Sequence, residues 1–513
     1  MHKRLLGCAV VAIAAMGCGD RAQKFDSAPN VVAEVALGDD LIFVDNATNL
    51  AHLVNLTTDE PQPKARRIPL PASPSYASLR PGHPDELLVT CNGSLDQYGD
   101  IVEPPSLNVI ANHSLERGYE LSSRYESTVW SDDGQYALFW ASAQDEFLST
   151  PDQVTLVDLD QEQGSANPYD RQLSEVGGSL GQAFLIPPLS VSNRERSLAL
   201  FVFPGGMSFW DLSRPERHEV TATSHANGAF SVARVVADPV ESKLYLLVRN
   251  STDLWVVSLT APDDPAAQND FRPSINQLGL GTQVPSDLLV FGTGSGQRLL
   301  TVGGASLAVV ASDDNQVTTI ALPTTADSLT SFEGTAPGDS TSRTRVLAYG
   351  VGMGAVSFVD LEDLEIRTTR NIESVNLGHP LSRAVPLGNN ELLMVFSDAA
   401  IGVLSLESRR FRPLIASVGL GDSRPTPSEG RVWVAPPGTE RVGYFDADSL
   451  ESGEIRLDRP IDQMFLFGSG SSQRVAVTHP SLLGSLTYFD ARTPTRDHSR
   501  TLEGFLAEGI VYR

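Results

Sequence analysis

A short cassette recurs along the chain and limits it to a repeat architecture. Residues 354–361 read Gly354-Ala355-Val356-Ser357-Phe358-Val359-Asp360-Leu361. This is an apolar run that ends on an apolar-Asp-Leu step, and a second short apolar run begins at Ile366. Val157-Asp158-Leu159, Trp210-Asp211-Leu212, Leu307-Ala308-Val309-Val310, Phe445-Asp446-Ala447 and Phe489-Asp490-Ala491 are versions of it, as are Ser258-Leu259 and Ser405-Leu406. From Asp158 the steps between equivalents are about 40 to 53 residues, the length of one supersecondary unit in a repeat protein. A second register agrees. Residues 291–298 (Phe-Gly-Thr-Gly-Ser-Gly-Gln-Arg) return at 467–474 (Phe-Gly-Ser-Gly-Ser-Ser-Gln-Arg), and Leu280-Gly281, Leu377-Gly378 and Leu420-Gly421 open successive units. A chain of 513 residues would ordinarily divide into several cores, but two registers with one period favour an array.

Within each unit the apolar residues form runs of strand length, punctuated by Gly, Pro, Asn and Asp, which is the pattern of many short strands joined by turns. Asp133-Gly134, between Val129-Trp130 and Tyr136-Ala137-Leu138-Phe139, is a hairpin signal because its turn takes a positive φ. No long amphipathic helix is apparent, so the fold class is all-β. The cassettes, with Trp210-Asp211 as a literal Trp-Asp step, resemble the bacterial β-propellers of the Trp-Asp-repeat-like and YVTN-type class, over residues 35–513. That resemblance implies four-stranded antiparallel blades. About ten units can be counted against the four to eight of most rings. The absence of a mid-chain linker favours one large ring of about 8–10 units over two smaller ones. The first unit reads as lacking its first strand, and the apolar segment 505–512 is expected to supply it, so that the C-terminal strand closes the first blade and covers two open edges.

The N-terminus reads as an export signal. His2, Lys3 and Arg4 precede an apolar stretch, residues 5–16, that is too short for a bilayer span of about twenty residues. Ala15-Met16-Gly17-Cys18 resembles the bacterial lipoprotein box, with Ala15 where Leu is usual. The resemblance implies a signal peptide at 1–17, lipidation of Cys18 and a polar tether at 18–34, and hence a bacterial cell-envelope location, lipid-anchored, the outer membrane favoured over the inner. Cys91, the remaining cysteine outside the signal, has no disulfide partner and sits in an apolar run; it is expected to pack as a small apolar residue.

Charge excludes some partners. There are 38 Lys and Arg against 63 Asp and Glu, a net charge of −25, and loss of Lys3 and Arg4 takes it to −27. Phosphate backbones would be repelled, so nucleic acid is not a partner, and the membrane is reached through the anchor. Cofactors and metals are not expected. The glycines of 292–296 precede a strand and no helix or Lys, so they read as a hairpin turn, not a phosphate cradle. Asp158, Asp160 and Glu162 lack the central Gly and closing Glu of a calcium hand and read as a turn. The histidines His52, His83, His113, His218, His225, His379, His479 and His498 are scattered without zinc spacing. No nucleophile elbow is present, because residues 468–472 lack its last Gly. Of Trp130, Trp140, Trp210, Trp255 and Trp433, most should pack between blades and one or two could line a recognition surface.

These residues point to a non-catalytic binding or scaffold protein for a protein or glycan partner. The YVTN-type resemblance keeps open a lactonase-like hydrolase in the central funnel, and a propeller role in outer-membrane protein assembly, by strand addition, is a further alternative. The repeated Asp of the cassette is read as a turn-forming group, since Asn55, Ser258 and Ser405 replace it elsewhere.

Overall fold

A computed structural model describes residues 29–512 apart from 57–64, 142–151, 165–166, 175, 192–193, 224–229, 239–240, 261–270, 282–283, 292–297, 312–313, 335–342, 361–371, 389–390, 399, 415–425, 429–430, 447–450, 469–472 and 507–510. The chain forms one ring of ten antiparallel blades, a β-propeller. Blade 1 takes its strands in chain order, Val31–Leu37, Asp40–Asp45, Leu50–Asn55 and Ala65–Pro69, and the other blades repeat that order from inside to outside. In blade 6 the second and third strands run on through Gly303 and Gly304 as Arg298–Ala311, whose first half pairs with Asp287–Phe291 and second half with Val317–Ala326.

The apolar runs of the sequence are explained by where they lie. The second and third strands of a blade have neighbours on both faces, so successive side chains enter opposite seams. In Arg194–Phe203 the side chains of Leu198, Leu200 and Val202 join the core between blades 4 and 5, while Ala199, Phe201 and Phe203 join the core between blades 3 and 4. Phe209 and Trp210 part in the same way. Each seam has its own hydrophobic cluster, and the last of them, between blades 10 and 1, closes the ring.

The cassette has two structural tasks, both at the turn from third to fourth strand. Its Asp caps the turn: Asp158 accepts the Asp160 N–H at 3.0 Å, Asp211 that of Ser213 at 3.2 Å, and Asp490 that of Arg492 at 2.7 Å. The following Leu or Ala fills the seam toward the preceding blade, as Leu56, Leu159 and Ala491 do. The carbonyl of that residue accepts an arginine from the preceding blade: Arg117 on Leu159, Arg431 on Ala491 at 2.7 Å, and Arg474 on Leu56. These arginines tie neighbouring blades along one rim and were not signalled by the sequence pattern.

The ends depart from the expected closure. Blade 1 has its own first strand, Val31–Leu37, which pairs with Asp40–Asp45, so the folded body begins four residues before position 35. The C-terminal Val511–Tyr512 pairs with Arg500–Glu503 and extends blade 10, and does not enter blade 1. Residues 31–34, expected as the end of the tether, are therefore strand, and Glu34 among them faces a cavity at the seam. The C-terminal segment does reach blade 1, through side chains: Phe505 packs on Phe43 with ring centroids 4.6 Å apart. The proposed signal, Cys18 and most of the tether lie outside the described residues.

Candidate functional site

The turns divide between two rims. Connections from first to second strand and from third to fourth lie on the rim latched by the arginines. Connections from second to third strand, and from each blade to the next, lie on the other rim, and the candidate site opens there.

On the latched rim blades 2 and 3 are clamped together. Arg80, at the end of Pro74–Arg80 and almost wholly buried, donates to Gly134 O at 2.8 Å, to Glu86 at 2.8 Å and to Asp160. Arg117 also donates to Glu86, at 2.9 Å. Asp160, part of the carboxylate series that suggested a calcium loop, is therefore held by an arginine, and Asp158 is occupied by its own turn.

On the opposite rim the same two blades part, and a cavity of about 830 Å³ lies between them. Blade 2 contributes Ser75 and Tyr76 from its first strand and Thr90 and Asn92 from the end of its second. Blade 3 contributes residues 124–128, Phe139 and Trp140. The wall is backed by aromatic rings: Tyr125 lies 6.2 Å from the buried Phe139, which meets Trp130 at 5.8 Å. The rim is hydroxyl- and amide-rich, and its charges are one of each sign, Arg124 and Glu126. Arg124 Nε donates to Asn92 O at 2.8 Å and so bridges the blades at the mouth. Behind the wall the Tyr125 hydroxyl meets Thr155 Oγ1 at 2.6 Å and Ser122 at 2.8 Å, and Ser122 donates to Asp170 at 2.8 Å. Burial, the largest influence, pushes the Tyr125 phenol above its ordinary pKa, so it stays a neutral hydrogen-bonding group.

Blade 2 differs from a plain blade in one insertion. Between its second and third strands a two-stranded hairpin, Ser94–Leu95 with Ile101–Glu103, stands out beside the cavity. Its base is tied down: Asn92 and Gly93 N–H donate to Ser73 O and Ala72 O at 2.9 and 3.0 Å, and Glu103 accepts from Ala72 N. Gly93 has φ +69°, and a Cβ there would fall 2.2 Å from Glu103 O, so only glycine fits. At the tip the Asp96 carboxylate accepts the N–H groups of Tyr98 and Asp100 at 2.8 and 2.9 Å. This built turn presents Tyr98, 81% exposed.

The histidines are dispersed. His52 is fully buried in blade 1, and desolvation, the largest cause, holds its pKa down to about 4. His113 pairs with Asp40 at 2.6 Å on the latched rim. His479 is buried, with its ring nitrogens 2.8 Å from Pro460 O and 2.7 Å from Thr487 Oγ1. His379 Nδ1 meets Asp398 at 2.5 Å on the open rim of blade 8, and that hydrogen bond is the main reason the Asp398 carboxyl titrates below its ordinary range. His225 lies outside the described residues. Among the described residues no cluster of three or more His, Cys, Asp or Glu could hold a metal ion.

Trp210 and Trp433 are fully buried and Trp255 nearly so, each between blades, while Trp140, at the edge of the cavity, packs its half-buried ring against the seam between blades 3 and 4. Cys91 is buried beside Asn108 Nδ2, 3.5 Å from its sulfur, and desolvation pushes its thiol up to about 12. The glycine-rich segment 292–297 is outside the described residues; the strands flanking it pair with Phe291 opposite Arg298, as Phe467 pairs opposite Arg474. The Tyr76 and hairpin contributions had no sequence signature beyond an unusually long second-to-third connection in the second unit.

No family model matches the chain, and no curated protein does. Among solved structures the chain is similar to the dihydro-heme d1 dehydrogenase NirN in complex with DHE, at 14% identity over 69% of this chain and 71% of that one, with a TM-score of 0.41. It is also similar to Citrobacter koseri AztD, at 12% identity over 70% of this chain and 93% of that one, TM-score 0.32, and to a eukaryotic initiation factor, at 10% identity over 76% and 88%, TM-score 0.44.

Proposed function

We propose that this chain is a lipid-anchored binding protein of the bacterial envelope, and that its ligand is a glycan held in the cavity between blades 2 and 3. The cavity lining carries the reading. Its volume of about 830 Å³ falls in the range of small-molecule sites. The exposed ring of Tyr76 offers a flat apolar surface to the C–H face of a sugar ring. Ser75, Thr90, Asn92 and Ser127 offer both donors and acceptors to its hydroxyls. The opposed charges of Arg124 and Glu126 suit a ligand of little net charge.

Titration of the full chain against a panel of neutral and acidic oligosaccharides, followed by tryptophan fluorescence and calorimetry, tests this. A neutral oligosaccharide should bind saturably, and Tyr76→Ala should abolish the signal. Failure of every saccharide, or binding untouched by Tyr76→Ala, would overturn it. The anchor has its own test: Cys18→Ser should end labelling by radioactive fatty acid.

The His379–Asp398 pair favours a second reading, a hydrolase site on the same rim, since an Asp-oriented imidazole can serve as a general base. Among the described residues no hydroxyl or thiol is hydrogen-bonded to its Nε2. Esterase or lactonase turnover lost in His379→Ala would support that reading.

A further inference from the structure

The exposed apolar side chains are distributed unevenly between the two rims. On the hairpin of blade 2, Tyr98, Ile101 and Val102 are 81, 64 and 68% exposed, and Leu95 is 38% exposed. In blade 10, Leu482 and Leu483, in the turn between second and third strands, are 70 and 52% exposed. Val284, Val351 and Met353 lie on the same open rim, and among the described residues the large exposed hydrophobics toward the latched rim are Leu79 and Leu115. The chain enters the ring from this open rim as well. Val31 starts the innermost strand of blade 1, Asn30 N donates to Asp45 at 2.7 Å and Asn46 N to Asn30 O at 2.9 Å, and Pro29 lines a cavity shared with Leu482. The point of entry is thus flanked by the hairpin of blade 2 and the apolar turn of blade 10.

We infer that the open rim lies on a lipid surface, with the 94–103 hairpin and the Leu482-Leu483 turn dipping into its headgroup region on either side of the N-terminal segment. This rests on the reading of Cys18 as the lipidated residue. Residues 19–28 can reach at most roughly 35 Å when fully extended, which holds the body close to the acyl chain, and the chain enters the fold from the open rim. Tyrosine with aliphatic neighbours is the side-chain set that settles at a membrane interface. The net charge, −27 without Lys3 and Arg4, with Asp100 on the hairpin itself, selects uncharged or zwitterionic headgroups over anionic ones. The glycan cavity opens beside the hairpin, so a ligand displayed at that lipid surface would meet it directly.

Depth-dependent quenching tests the orientation. Tyr98→Cys, Leu482→Cys and Leu115→Cys chains are labelled with an environment-sensitive fluorophore, Cys91 being buried and protonated, and reconstituted full-length into phosphatidylcholine vesicles containing brominated acyl chains. The labels at 98 and 482 should blue-shift and lose most of their emission, the label at 115 should not change, and adding phosphatidylglycerol should not strengthen the effect. Equal response at 98 and 115, or none at 98, would overturn the inference. So would lipid-independent crosslinking between position 98 of two copies, which would make the rim a self-association face. Mass spectrometry of the N-terminal peptide reads the anchor separately. If Cys18 carries no lipid, the same quenching at excess vesicle in a Cys18→Ser background, where Cys91 is buried and no thiol at position 18 competes for the label, still decides the orientation, and its absence there also overturns it.

Discussion

The seam between blades 4 and 5 and the seam between blades 2 and 3 join the same kinds of strand in the same order, yet only the first is closed from rim to rim. Between blades 4 and 5, Phe209, Phe230, Trp255 and Phe271 fill the interior, with Phe230 and Trp255 at 4.9 Å. Arg196 pairs with Asp211 at 2.5 Å and lies over Phe271 on one side. At the other, the Gln182 amide both donates to Val232 O and accepts from Val232 N at 2.9 Å, stitching the innermost strands together. Between blades 2 and 3 the Arg80, Glu86 and Arg117 clamp is present, but the innermost strand of blade 2 starts with Pro74-Ser75, whose side chains are too short for such a stitch. The seam is a wedge, hinged at the latched rim. At its open end the bridge is made by Arg124 on Asn92 O and not by the innermost strand of blade 2, so the site arises where this seam differs from seam 4/5.

If seam 4/5 is structural core, Trp255→Ala should cost about 3–5 kcal/mol, by loss of burial plus a cavity that rigid strands cannot fill. Denaturant unfolding of the full chain measures it; a loss below about 1 kcal/mol would mean the seam is not the core. Next in size is the clamp. Glu86→Gln leaves Arg80 buried with part of its charge uncompensated, and we expect a loss of about 2–3 kcal/mol, since Glu86 is partly solvated. Its distinguishing readout is local: amide exchange should quicken at blades 2 and 3 and stay unchanged at 4 and 5.

The closing seam, between blades 10 and 1, should respond to pH. Glu34 faces a cavity there with Asp462 and His479, and burial, its largest influence, pushes its carboxyl up to about 7 despite a hydrogen bond from Thr478. A carboxyl raised in the folded state holds its proton more tightly than in the unfolded chain. Its contribution is therefore complete below the unfolded value of 4.5 and is lost as pH rises through about 7. Glu34→Gln should flatten that loss, on the order of 2 kcal/mol between pH 5 and 8. His52 and His479, both shifted down by burial, act in the opposite sense at lower pH, so the comparison is between variant and parent at each pH. Parallel stability curves for the two would refute the assignment.

The repeat period, the all-β class and the turn role of the Asp cassette were legible because a two-sided seam demands apolar runs and a capped turn from every blade. The blade count was visible to within the resolution of degenerate repeats. Closure was not, because Val31 to Glu34 and the segment after Phe505 are both short and partly apolar, and only pairing decides which of them enters blade 1. The site was less legible still. Tyr76 lies outside every cassette, and Arg80 comes within reach of Asp160 only through the ring. A cavity made by the absence of a stitch leaves no residue motif of its own.

The smallest stability effect carries the sharpest contrast. Tyr76 is 48% exposed at the open end of the wedge, where solvent or a ligand meets its ring, so Tyr76→Ala removes little packed surface. A cost under about 1 kcal/mol is expected, against the several expected for Trp255→Ala. Ligand affinity should behave the other way round. Loss of a stacking face at the mouth should weaken glycan binding by about tenfold or more, while Trp255→Ala, assayed where it remains folded, should leave it intact. Tyr76 and Trp255 sit on seams of opposite character, so exchange of these outcomes would place the binding surface elsewhere on the ring.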